Sequence, residues 1–179
     1  ETIQLNVSVD DTVYNNLGVM GNFHGAYTHT SMNLPEVLKV TQWFASQYGY
    51  FINQLNVDEP GTGRTYLDNS LVYYGNCMGE GTAHGYFDLP VLLAGSLGGR
   101  VKSGRYIDYT NRAAGKNWDQ SFQGRNYCAF LVTMLQAMGL QAVDYQQNNV
   151  SEGFGSDTLH ENYAAWRLDR KNPLPGILV

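Results

Sequence analysis

The stretch Leu67–Arg105, LDNSLVYYGNCMGEGTAHGYFDLPVLLAGSLGGRVKSGR, sets the narrowest limits on what this chain can fold into. It reads as an apolar strand over 70–75, a glycine-broken polar loop over 76–88, and a second apolar strand over 89–94. Leu71–Tyr74 and Val91–Ala94 are continuous apolar runs, the pattern of strands buried on both faces of a parallel sheet. In open α/β sheets chemistry gathers where strands end and loops begin. The loop between the two runs carries His84 and Glu80 among small residues that let a ligand approach the backbone.

At 179 residues the chain is long enough for one domain with a sizeable core and short for two. Its 15% charged residues and net charge of -5 argue against a nucleic-acid partner, which would demand a basic patch. Arg100, Lys102 and Arg105 are the nearest approach to one. The low charged fraction, with 13 tyrosines and 20 glycines, leans towards an exported protein. No apolar run is long enough to span a bilayer, so no transmembrane segment is expected. Glu1 reads as a processed or truncated start. Cys77 and Cys128 fit either one disulfide or two buried thiols.

Taken in order, residues 2–9 alternate polar with apolar, as a half-buried strand does. Residues 15–33 show no period and read as a loop bearing His24 and His29. Pro35 and Glu36 mark a helix start, and the helix is expected to reach Leu55. Its core stripe is read as Leu34, Leu38, Thr41, Ala45, Tyr48, Ile52 and Leu55, flanked by Val37, Phe44 and Phe51. A polar turn over 56–66 leads into the central stretch, and residues 103–121 read as irregular. A second helix is expected from about Gly124 to Met138, with Gly139 as its stop. Residues 146–179 form an extended tail, with a short helix at 159–168. Asn6 and Asn149 head glycosylation sequons that count only in a eukaryotic secretory host. The fold class is therefore α/β, a partial sheet of mainly parallel strands flanked by helices, with long loops and an irregular tail.

The leading chemical constellation is His24, His29, Glu80 and His84, imidazole and carboxylate donors suited to a divalent ion. Zinc, manganese and calcium are the ions considered. The competing reading makes these loop histidines hydrogen-bonded to backbone. Asn76 and Cys77 form a second candidate, where Cys77 as nucleophile needs a base such as His84; a packed thiol is the simpler reading. The GSLGG segment over 95–99 is read as a turn, with an anion-binding nest as the alternative. His160 reads as a surface residue.

LDNSLVYYGNCMGEGTAHGYFDLPVLLAGSLGGRVKSGRYIDY resembles the core signature of a bacterial exported family, domain of unknown function 1552. FHGAYTHTSMNLPEVLKVTQWFASQYGYFINQL and NYCAFLVTMLQAMGL are similar to its flanking segments, in the same order, and the likeness runs from about Gly18 to Gly155. The resemblance implies an alkaline-phosphatase or sulfatase-like α/β fold with metal ions at the strand ends, in proteins exported to the envelope. It puts His24, His29 and His84 at histidine-rich positions and Glu80 where an aspartate is common. Phe23, Thr30 and Tyr86 stand where the family often shows further histidines, which thins the set. It further implies that this chain, 1–179, is a single domain forming the C-terminal part of a larger one, since such domains carry their nucleophile upstream.

Two functions follow as expectations. The first is a non-catalytic structural or assembly component, periplasmic, cell-surface or extracellular, completed by its own N-terminal part, another subunit or copies of itself. The second is a metal-dependent phosphate or sulfate ester hydrolase.

Overall fold

The structure, a computed structural model, describes residues 11–30, 34–79, 81–82, 84–85, 87–116, 122–146 and 172–179. The expected strand over 2–9, both sequons, Glu80, His160 and the expected helix over 159–168 lie outside the described residues. The chain divides into two compact units, 1–57 with 73–93 and 58–72 with 94–179.

In the first unit, helix α1 spans Pro35–Leu55 and starts as the sequence dictates, with Pro at its first turn and Glu36 beside it. Its inward stripe differs from the expected one. Val37 and Val40 are buried and Trp43 and Phe44 half-buried, whereas Leu38, Thr41 and Ala45 face solvent. Val40 packs with Tyr14 and Val19, and Leu17, Phe23, Tyr27, Trp43 and Phe44 close around them. Tyr14 meets Phe23 and Phe44 edge-on, with ring centroids 5.6 and 6.1 Å apart, the arrangement that brings ring edges to π faces. Val37, Val40 and Phe44 are also at helical spacing (i, i+3, i+7), so α1 offers more than one apolar face and the aromatics of the 14–27 segment cover this one. The segment is also more ordered than a loop: Asn15–Leu17 makes a 3₁₀ turn and Phe23–Thr28 a π-helical turn.

The second unit holds short hairpin strands β1 (Asp58–Glu59) and β2 (Arg64–Thr65), helix α2 (Tyr66–Asn69), strands β5 (Asn111–Lys116) and β6 (Phe122–Gln123), and helices α3 (Tyr127–Ala137) and α4 (Ala142–Tyr145). Asn126 caps α3 by accepting the Cys128 N–H, and Gly139, at φ +91, ends it as expected. The Arg100 guanidinium donates to the Ala137 carbonyl at the exposed end of the ladder. Residues 172–179 pack rather than trail: Leu174 and Ile177 are buried, and Val101 bridges Leu178 in antiparallel fashion. Buried Thr133 donates to the Ala129 carbonyl and accepts the Leu174 N–H, so its hydroxyl is satisfied on both sides. Residues 103–121, expected to be irregular, include β5, which pairs antiparallel with β6.

Strands β3 (Leu71–Gly75) and β4 (Val91–Gly95) match the two expected runs and hydrogen-bond to each other. The sheet of mainly parallel strands does not form. Among the described residues the strands make three separate two-stranded pairings, and both β1–β2 and β5–β6 are antiparallel. No residue of β3 or β4 is buried, and Tyr73 and Leu92 are exposed. Apolar runs report the demand for cover and cannot say whether further strands answer it. Mixed helix and strand content is what stands of the α/β expectation. Among the described residues, no helix is long and apolar enough to cross a membrane.

Candidate metal centre

Three of the four expected ligands come together within the first unit. His24 lies in the π-helical turn and His29 directly after it, while His84 sits in the loop past β3. One ring nitrogen from each lies within 4.8 Å of the other two. Glu80, the fourth, is outside the described residues.

Local structure explains how residues so far apart in sequence meet. A spacing of five suits a π-helical turn, whose bonds close one residue later than an α-helix's; the His29 N–H donates to the His24 carbonyl at 3.3 Å. Asn22 starts the turn by accepting the Gly25 N–H at 2.7 Å. On the other side, the 76–88 loop is pinched shut by the Gly79 N–H donating to the Gly85 carbonyl at 3.0 Å. A side chain at Gly79 would sit 1.7 Å from the Phe87 carbonyl oxygen, so only glycine permits the pinch. His84 itself adopts φ +56, a left-handed conformation that a non-glycine residue holds only where its surroundings impose it. The Thr82 hydroxyl donates to the Thr28 carbonyl at 3.3 Å, tying this loop to the π-helical turn.

The hydrogen bonds also orient the rings. His29 Nδ1 lies 3.1 Å from the Thr82 carbonyl oxygen, and a carbonyl only accepts, so Nδ1 carries the proton. The Nε2 of neutral His29 therefore presents a lone pair. It faces His24 Nε2 at 2.9 Å and His84 Nε2 at 3.2 Å. Two ligand nitrogens on a tetrahedral zinc ion, each about 2.0–2.1 Å from it, are about 3.3 Å apart. These two separations are near that value, while His24 and His84 are held only to within 4.8 Å of each other and would have to draw together for all three rings to hold one ion. The carboxylate of Asp11 stands 3.9 Å from His24 Nδ1 on the outer side.

Other expected sites look different. The amides of the 95–99 turn are already used: Leu97 N–H donates to Ser70, Gly98 N–H to Asp68 and Gly99 N–H to Ser96. With its donors committed, the segment is a turn and not an anion nest. Cys77 is an exposed cysteine just past β3 and Cys128 a half-buried one in α3, and neither is in a disulfide. The ring of His84 turns its Nε2 to His29. Asp11, Asn22 and Thr82 were not among the expected site residues. Their signal is weak, since a carboxylate, an amide and a backbone carbonyl near histidines are ordinary in any loop.

The chain matches no family model, no curated protein and no solved structure.

Proposed function

We propose that this protein binds a divalent transition-metal ion through His24, His29 and His84. The convergence of three imidazole nitrogens, one with its lone pair turned inward by Thr82, carries the reading. Of zinc, manganese and calcium, an all-nitrogen donor set suits zinc; the other two prefer oxygen. Glu80 is the sequence's candidate for a fourth donor. Held by the three imidazoles alone, a zinc ion would leave room for water and would supply a water of lowered pKa as a nucleophile. Phosphate or sulfate ester hydrolysis, the activity that the resemblance to family 1552 implies, is accordingly the one to screen. Export to the bacterial envelope belongs to the same reading, supported by the resemblance and by the low charged fraction.

Zinc titration by calorimetry, with elemental analysis of protein purified without chelator, tests the site. One equivalent of zinc is expected in the wild type and none in His24→Ala,His84→Ala. At free zinc 100-fold above its dissociation constant, the wild type gains about 2.7 kcal/mol of stability. A folded wild type that takes up no metal would end this reading.

A second reading, a structural or assembly component, has its own observation. Helix α1 exposes Leu38, Tyr50 and Phe51, apolar side chains that another subunit or a second copy would cover.

A further inference from the structure

We infer that Gly79 and Thr82 are positioning residues for the metal centre, clasping the 76–88 loop onto the π-helical turn so that His84 joins the pair the turn already holds. This rests on the metal reading above and adds how the third donor arrives.

The three histidines do not share one support. His24 and His29 are fixed by bonds made close by in the chain. Asn22 caps the turn at Gly25, the Thr28 hydroxyl donates to the His24 carbonyl at 2.7 Å, and the His29 N–H donates to the same carbonyl. The Thr30 hydroxyl adds a bond to the Ala26 carbonyl at 3.0 Å. These bonds hold the turn whether or not the loop lies against it. His84 comes from a loop 55 positions beyond His29, and two features bring it there.

The first is the pinch within the loop. The Gly79 N–H donates to the Gly85 carbonyl at 3.0 Å, which closes the two arms around the residues between them, His84 included. The arms run so close that a Cβ on Gly79 would overlap the Phe87 carbonyl oxygen, a backbone atom that cannot swing aside as a side-chain tip can. The second is the tie across to the turn. The Thr82 hydroxyl donates to the Thr28 carbonyl at 3.3 Å, and the Thr82 carbonyl oxygen lies 3.1 Å from the His29 ring. Thr82 stands two residues before His84, so the tie fixes the loop beside the ligand itself.

The loop backbone records the constraint. His84 at φ +56 and Asp88 at φ +51 are both left-handed without being glycine. Such conformations persist only where the surroundings impose them, and they gather at functional sites. Opening the pinch would let His84 relax to the ordinary region, with a different exit for its side chain. Pinch and tie thus act on the metal through His84, and their signature is coupling to it: a ligand already removed cannot be misplaced.

Zinc titration of the full chain by calorimetry, over a cycle of wild type, Gly79→Ala, His84→Ala and the double variant, reads that coupling. Gly79→Ala is expected to weaken zinc binding about 10–100-fold. In the His84→Ala background the same change should cost no more than about threefold. Thr82→Val, which keeps the bulk and removes the hydroxyl, should weaken binding about 2–10-fold, and Thr82→Ser should restore it. Gly49→Ala, in α1, where a Cβ meets nothing within 4 Å, should bind as wild type does. Helical circular dichroism of each metal-free variant should match the wild type; if Gly79→Ala fails to fold, the cycle of Thr82→Val with His84→Ala decides. Undiminished affinity in a folded Gly79→Ala or in Thr82→Val, or equal losses with and without His84, would overturn the inference and leave the metal site standing. Wild type that binds no zinc would overturn the metal reading itself.

Discussion

Helices α1 and α3 have opposite relations between length and burial. The longer, with 21 residues, buries only Val37 and Val40. The shorter, with 11, buries Ala129, Phe130, Val132, Thr133 and Ala137. An amphipathic pattern over six turns therefore says that a helix forms, and says little about how much of it is covered. What covers a helix comes from elsewhere in the chain. For α1 that is the aromatic cluster around Tyr14, which reaches its N-terminal half. For α3 it includes residues 172–179, brought in by the bond between Leu174 and Thr133.

The sharpest challenge to this contrast is a pair of matched truncations followed by denaturant unfolding. Phe130→Ala removes a side chain only 6% exposed and is expected to cost about 3–5 kcal/mol. Phe51→Ala, at a position 41% exposed, is expected to cost about 1 kcal/mol or less. An equal cost at Phe51 would mean that α1 is covered in solution. Loss of a larger species on gel filtration by the same variant would then identify the cover as a second copy.

A smaller effect isolates the tie between α3 and the chain end. Thr133→Val keeps the volume but leaves the buried Leu174 N–H without its acceptor, an expected loss of about 1–3 kcal/mol. Faster amide exchange at Leu174 should accompany it. If stability and exchange were both unchanged, the packing of Leu174 and Ile177 alone would hold residues 172–179, and the hydroxyl would be incidental.

The smallest effect concerns α2, whose start is a reciprocal capping box between Thr65 and Asp68. The backbone and side-chain hydrogen bonds from Thr65 hold the Asp68 carboxyl below its ordinary value. Because the folded group binds its proton less readily, its contribution is present above the usual carboxylate range of about 3.9 and is lost as pH falls through the lower, folded value. Asp68→Asn should therefore lower stability slightly near neutral pH, where the contribution is present, flatten the acid limb, and converge with the wild type below it. A variant with an unaltered acid limb would remove the box from the stability of this unit.

Strong local signals survived into the structure. Pro35 opens α1, Gly139 closes α3, and the two apolar runs at 71–75 and 91–95 are strands. Each of these depends on neighbours within a few residues, whose steric and hydrogen-bonding preferences are written in order along the chain. The histidines were legible as metal-ligand types at 24, 29 and 84, because imidazole chemistry is a property of the residue. Their meeting was not legible. It depends on a π-helical turn instead of a loop, on the pinch that only Gly79 allows, and on a left-handed His84, which join residues 55 positions apart. The approach of Asp11 to His24 and of the Thr82 carbonyl to His29 was hidden for the same reason, since a second neighbour of a ring nitrogen is defined by distance and not by spacing. The sequence itself determined where α1, α3, β3 and β4 form and which side chains carry metal-ligand chemistry. Tertiary structure decided which apolar helix face is covered, that the strands among the described residues pair in twos, and that three imidazoles gather within 4.8 Å, because these are set by contacts between segments and not by the order of residues within one.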